Sequence, residues 1–446
     1  MPTDMLSLVQ LVVALMMLAL NPSMGAATEP TPQGQVVIPD AALPGPQFDV
    51  ERATRAYLDS IPADKRAESD TYFEGGYWLE LWNFIYTLGV AALLMFGGVS
   101  VWLRERGERL TRRRWLQTMV YGAALVVVMN ILTLPLSVYQ GWFREHEYGL
   151  SNLTLGGWLG DHFKGLLLTV VLIAPLVALI DAIVRRRGGS WWLPASVLSV
   201  LFLLLVNFIA PVFIAPVFNR FQPLGAGPVR DSVLALARAN GIAAHDVYWF
   251  DASRQTSRIS ANVSGLAGTT RISLNDNLLG KTSLPEIRAV MAHELGHHVL
   301  NHPFKRMLEF GLVLAAGFAF TQWAQTRLVA HWGARWRLRS STDIAALPLL
   351  VALLTTWFFL MTPLTNAIIR SSEVEADVFG LNAAREPHGF ASAAMRLASY
   401  RKLEPSPLEE FIFYDHPSGR TRVKTAMQWF AENPDSGAAA STGRGR

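Results

Sequence analysis

The chain has 446 residues, of which 51% are hydrophobic and only 17% charged, with no cysteine and a formal net charge of +4. That balance excludes an ordinary soluble protein and fits a polytopic membrane protein. The missing cysteines exclude a disulfide framework and thiolate metal ligands, and the arginines are clustered as topology signals rather than spread as a nucleic-acid surface.

The apolar run Leu6 to Leu20, followed by Asn21-Pro22 and Gly25-Ala26-Ala27, fits two readings. It is a secretory signal lacking basic residues at its start, or an uncleaved first membrane helix; the second is favoured slightly. Residues 28–76 are polar, early on rich in proline, with a helix-like segment near Val50 to Ile61. That segment reads as an amphipathic element lying on the membrane or as part of a loose linker.

Six further runs are long enough to cross a bilayer, which takes about 20 residues. They lie near 80–103, 115–139, 165–184, 191–216, 308–328 and 344–366. Trp102, Trp115, Trp142, Trp191 and Trp192 gather near their ends, as an interfacial belt does. Asp161, Lys164 and Asp181 also fall near helix ends. The loop 104–114 holds Arg104, Arg106, Arg109, Arg112, Arg113 and Arg114; Arg185, Arg186 and Arg187 follow another run, and Arg327, Arg335, Arg337 and Arg339 separate the last two. The alternation of rich and poor loops puts these three on the cytoplasmic side of a cell (inner) membrane. The segment after residue 219 and the tail after 366 then face away from the cytoplasm.

Thr270 to Leu274 alternates as a strand, with Asn275-Asp276-Asn277 as a turn after it. Ser283 then caps a helix with Pro285 in its first turn and Ile287, Val290 and Met291 as its apolar stripe. This helix carries His293-Glu294-Leu295-Gly296-His297. Two imidazoles four residues apart share one helical face and can grip one Zn²⁺, while Glu294 points off their axis and can serve as general base. His298 and His302 read as structural or exposed, and His146, His162, His245, His331 and His388 have no evident partner.

A catalytic zinc needs a third protein ligand and keeps one position open. Glu373 and Asp377 are i,i+4 on one face, with Glu375 turned elsewhere. Glu373 reads as the third ligand, and Asp377 as the partner that fixes the tautomer of a ligand histidine. The competing reading is a solvated acidic helix start capped by Ser372. His416 precedes Pro417 and so lies in extended or turn backbone.

Several separated motifs in order resemble the integral-membrane CAAX prenyl proteases of type 1, zinc metalloendopeptidases of the gluzincin kind. The resemblance runs over roughly residues 77–430. It rests on Tyr148 to Thr154 with Asp161 and Lys164, Ile214 to Leu224, Ser260-Ala261-Asn262 with Gly265, Glu373 to Asp377, and His416-Pro417-Ser418 with Arg422. It implies a mainly α fold, about seven transmembrane helices around a water-filled chamber, with a small α+β zinc metallopeptidase domain. The expected parts are a signal-like or first helix (1–27), a polar extracytoplasmic segment (28–76) and four membrane helices (77–218). The zinc domain follows in two halves (219–307 and 367–433), split by a membrane hairpin (308–366) and followed by a disordered tail (434–446). The resemblance implies that His416 steadies the oxyanion, that Arg422 helps there, and that Asn262 lies beside an extended substrate strand.

The expectation is a membrane zinc endopeptidase with one Zn²⁺ per chain, held by His293, His297 and Glu373. Its partners are peptide or protein substrates, lipidated ones included, and membrane lipids, but no nucleic acid. Processing of prenylated CAAX tails is one alternative, in tension with the arginine pattern. A channel or scaffold with structural zinc is the other, although a structural site is closed by four protein ligands and would leave Glu294 without a task.

Overall fold

The computed structural model describes residues 29–32, 34–265, 270–397 and 400–434; the run Leu6 to Leu20 and the tail from 435 lie outside the described residues. Helix α1 (Val50–Asp59) is capped by Asp49, whose side chain accepts from Arg52 N–H. Then come α2 (Ala63–Phe96), α3 (Val99–Leu110), α4 (Arg114–Val138), α5 (Leu155–Arg187) and α6 (Trp192–Ile209). α4 continues through a π turn to Glu147, and α6 likewise to Phe218.

The peptidase-like half follows: β1 (Phe221–Pro223), α7 (Pro228–Ala239), β2 (Val247–Phe250), β3 (Ala261–Ser264), β4 (Arg271–Asn275), α8 (Asp276–Lys281) and α9 (Leu284–Val299). Next are α10 (His302–Trp332), α11 (Leu347–Leu360), α12 (Thr362–Ala384), α13 (Pro387–Leu397), α14 (Pro407–Phe413) and α15 (Gly419–Glu432).

Five helices are long and apolar enough to span a bilayer, and a sixth span is made if α11 and α12, bent by 57° at Met361, count as one. The seventh expected span is the N-terminal run outside the described residues. The six pack in a closed ring, α2 on α4, then α5, α6, α10, α11 and back to α2. At about 1.5 Å per residue the 34-residue α2 is roughly 50 Å long, well beyond the ~30 Å hydrocarbon layer. Its N-terminal turns reach the peptidase half, where Arg66 pairs with Glu404, and its C-terminal end meets Trp332 and Trp336. The arginine-rich loops therefore lie at the end of the ring remote from the peptidase half.

The peptidase half is a four-stranded sheet in the order β1-β2-β4-β3, with β2 and β4 parallel and the outer pairs antiparallel. Ile287, Met291 and Leu295 on α9 are fully buried against Ile272, Leu274 and Val247 of the sheet. Each such side chain contributes roughly 1.5–3 kcal/mol by burial.

Several expectations need correction. The run 80–103 is not one helix: Gly98 has φ +71 and breaks it after Phe96, with the Arg337 guanidinium occupying the place of a Cβ. Residues 63–76 belong to α2, so the polar segment 28–76 runs into the first of these membrane helices without a break. The run 344–366 is two helices, because Pro363 opens α12 in its first turn. Trp191 is buried against Phe318 and does not join an interfacial belt. Asn275 and Asn277 are not a turn. Asn275 caps α8, and both buried side chains donate to Arg258 O.

Helix α1 neither lies on the membrane nor belongs to a loose linker. Its stripe of Ala53 and Tyr57 packs with Ala289, Phe390 and Met427, since an i,i+4 apolar stripe meets protein as readily as lipid. Tyr57 Oη lies 2.9 Å from the buried His388 Nδ1. Burial pushes the His388 pKa from 6.5 down to about 4. Neutral His388 thus contributes its full stability above pH about 6.5, and loses it as pH falls from there through 4. Thermal melts should show the gap between wild type and His388→Gln closing by up to about 3 kcal/mol across that window. A gap independent of pH would contradict the assignment.

Candidate active site

Helix α9 begins with a capping box: Ser283 accepts from Glu286 N–H, and Glu286 accepts from Ser283 N–H at 2.7 Å. The buried Glu286 also accepts from Ser392 at 2.7 Å and is held by Arg396 on α13. Burial alone would raise its pKa, but these partners hold the carboxyl below the usual range. The start of α9 is therefore fixed to α13, and the register of everything downstream with it.

With its apolar face in the sheet core, α9 turns His293 and His297 toward α12. The two helices approach closely. A Cβ on Gly380 would sit 3.0 Å from His293 N, and one on Gly296 would sit 2.9 Å from Phe379 Cδ1. Only glycine fits both places without displacement.

The crossing brings His293 Nε2 and His297 Nε2 to 3.1 Å from each other. Glu373 Oε2 is 3.2 Å from His293 Nε2, and its Oε1 is 3.4 Å from His297 Nε2. Ser372 is buried inside α12 and does not cap a helix start, so the solvated-helix reading of this acidic stretch fails. Asp377 Oδ1 accepts from His293 Nδ1 at 2.8 Å. His297 Nδ1 lies 2.8 Å from His302 Nδ1, and His302 Nε2 lies 2.9 Å from Glu375 Oε2, which Lys305 also holds.

These partners assign tautomers: with protons on both Nδ1 atoms, both Nε2 lone pairs face one point. Two lone pairs and a carboxylate converging there repel unless a cation lies among them. Glu373 Oε2 is buried without a hydrogen bond, while Oε1 accepts from Arg306 at 2.7 Å. Burial opposes charge on His293, but Asp377 and Glu373 outweigh it and raise its pKa to about 9, so without a metal the shared point holds a proton on His293, which a divalent ion would displace. The residues present fit a divalent metal ion, and the oxygen left over faces its place.

Glu294 stands outside this cluster, on the wall of a groove of about 770 Å³ counting its open mouth. Burial pushes its carboxyl up. His416 lies on the same wall, with Nε2 3.2 Å from Glu373 Oε2 and Nδ1 2.8 Å from Asp415 Oδ1. The rest of the lining is largely apolar, with Ile259, Leu278, Val290, Phe390 and Leu397. Asn262 is exposed on β3, an outer strand that pairs only with β4, and its neighbours Ser260 and Ala261 line the groove.

Arg422 lines the same groove as His416 and Glu294. Its guanidinium is committed to Asp377, with Nε 2.9 Å from Oδ2 and Nη2 2.5 Å from Oδ1, so it acts on the site through Asp377. Sequence reading missed His302, Glu375 and Arg306. His302 is almost wholly buried and begins a new helix after Asn301, whose φ is +55. The five-residue step from His297 matches no helical face, so periodicity gives no sign of the contact.

Asp377→Asn should weaken metal binding about 10–100-fold, and should also lower the melting temperature because it leaves the buried Arg422 without its carboxylate. Calorimetric titration of the purified chain measures this, and unchanged affinity would show that Asp377 does not orient His293.

Residues 50–220 match the CAAX prenyl protease N-terminal family of five membrane helices, and residues 223–430 match peptidase family M48. The chain is 30% identical to the uncharacterized metalloprotease YhfN of Bacillus subtilis, over 77% of this chain and 82% of that one. It is 28% identical to the CAAX prenyl protease 1 homolog of Arabidopsis thaliana, over 83% and 91%. The crystal structure of S. mikatae Ste24p superposes with a TM-score of 0.70 at 24% identity, covering 83% of this chain and 90% of that one.

Proposed function

Because the chain belongs to peptidase family M48, of the type 1 CAAX prenyl protease kind, we propose that it is a zinc endopeptidase cutting extended peptide segments at the membrane. The metallopeptidase class follows from the family; the metal, the residue roles and the substrate are the proposal. The observation that carries it is the convergence of His293 Nε2, His297 Nε2 and the unpartnered Glu373 Oε2 beside Glu294. Two imidazoles and one carboxylate from protein, with no thiolate, form the ligand set of a catalytic zinc site.

When bound, Zn²⁺ supplies Lewis acidity toward the scissile carbonyl and the attacking water. Glu294 takes the proton of that water and later delivers it to the leaving amine. His416, oriented by Asp415, donates to the oxyanion. Asp377, clamped by Arg422, holds the His293 tautomer, and His302 with Glu375 does the same for His297. The free edge of β3 near Asn262 offers backbone groups to an extended substrate, and the apolar lining of the groove takes apolar side chains.

The arginine-rich loops gather at the end of the ring remote from this site, which supports a cell-membrane protein whose catalytic half faces away from the cytoplasm. Membrane and envelope proteins are then the substrate class. Relatives carry the name CAAX prenyl protease, and a prenyl group on the substrate is not required by the groove described here.

Glu294→Gln should lower cleavage of an unlipidated, apolar-rich peptide by at least about 10²-fold while zinc content stays near one per chain. Chelation should abolish cleavage and added Zn²⁺ restore it. A Glu294→Gln variant that cuts as wild type would overturn the assignment.

A further inference from the structure

The six-helix ring holds a second cavity at the end away from the metal ligands. Leu125 and Met129 of α4, Ile173 and Val177 of α5, Phe318 of α10 and Leu350 of α11 form its walls. Its empty volume is about 1100 Å³ counting the open mouth.

The base of this cavity is charged. Asp181, Thr342, Asp343 and Ile344 line both it and an adjoining polar cleft of about 610 Å³, which opens beside Arg104, Arg114, Arg185 and Arg339. Four guanidinium groups line that cleft with three carboxylates, each of which already has its cation, and a fourth carboxylate, Glu105, lies 3.7 Å from Arg104. Arg104 holds Asp343, Arg185 holds Asp181, and Arg339 holds Glu108 at 2.5 Å. Arg114 is exposed and has no acidic partner within salt-bridge distance among the described residues. Arg104, which is 6% exposed, has a buried Nε with no acceptor, and Gln325 Oε1 in the apolar cavity has no donor.

A greasy cavity joined to a mouth that holds a guanidinium without a carboxylate partner, at the level where a helix ring meets the membrane surface, matches an anionic amphiphile. We propose that this cavity binds one phospholipid with an anionic headgroup, its acyl chain inside the ring and its phosphate at Arg114 and Arg104. A peptide would leave its backbone donors unsatisfied against these walls, whereas a hydrocarbon chain has none to satisfy. Basic pockets between membrane helices recognise lipid headgroups by the same charge complementarity. The bound chain fills the ring, and the phosphate gives the spare guanidinium atoms their acceptors.

The test is native mass spectrometry of the delipidated full chain with dioleoyl phosphatidylglycerol or dioleoyl phosphatidylcholine. The wild type should retain one phosphatidylglycerol with at least tenfold preference. Val126→Trp, which fills the cavity, should cut retention of both lipids at least tenfold. Arg114→Gln, at an exposed position, should bring phosphatidylglycerol down to the phosphatidylcholine level. Melting temperature and cleavage of an unlipidated peptide report that each variant is folded; if Val126→Trp is not, Leu350→Trp fills the cavity from the opposite wall. Equal retention of the two lipids overturns the proposal. So does unchanged retention in a folded cavity-filling variant. Complete displacement of the lipid by millimolar inorganic phosphate marks a free-phosphate site and overturns it too.

Discussion

The structure depends on one helix crossing. Where α9 meets α12, two imidazoles and two carboxylates, Glu373 and Asp377, are buried within a few ångströms of one another. Buried charges persist only when each has a partner, and the surroundings provide one on every side. Arg422 takes Asp377 and Arg306 takes one oxygen of Glu373, while the other oxygen accepts no hydrogen bond, with His416 Nε2 3.2 Å away. A metal ion at the shared point would complete the balance. The two glycines at the crossing allow the approach, and the anchoring of Glu286 to Arg396 sets the register of α9.

The membrane ring and the site share structural members. Helix α12 leaves the membrane after the bend at Met361 and carries Glu373 and Asp377 three turns later. Helix α2 runs past the membrane into the peptidase half, where Phe73 packs on Tyr414 and Tyr77 donates to Glu409. Those contacts flank Asp415 and His416. Extensions of membrane helices therefore support the elements that line the groove.

Much of this was legible in the sequence. The His-Glu-x-x-His spacing stands on a helix with a capping box, and Glu373 and Asp377 stand on one face, because both signals are local and follow helical period. The apolar runs announced the spans for the same reason. What was hidden depends on chain reversals or on tertiary choice. The left-handed residue Asn301 folds His302 back onto His297, and no periodicity encodes that. Arg422 is six residues past His416, yet it turns to Asp377, because a buried carboxylate offers a guanidinium more than the rim of the groove does. The stripe of α1 looked fit for lipid and instead packs on protein, a choice that hydrophobicity alone does not make. Gly98 and Met361 divided runs that hydropathy reads as continuous.

The most direct measurement is a crystal structure of the zinc-loaded chain with anomalous data at the zinc edge. One peak should lie about 2.0–2.2 Å from His293 Nε2, His297 Nε2 and a Glu373 oxygen, with Glu294 outside the coordination sphere. A peak that Glu373 does not reach, or one enclosed by four protein ligands including Glu294, would contradict the account.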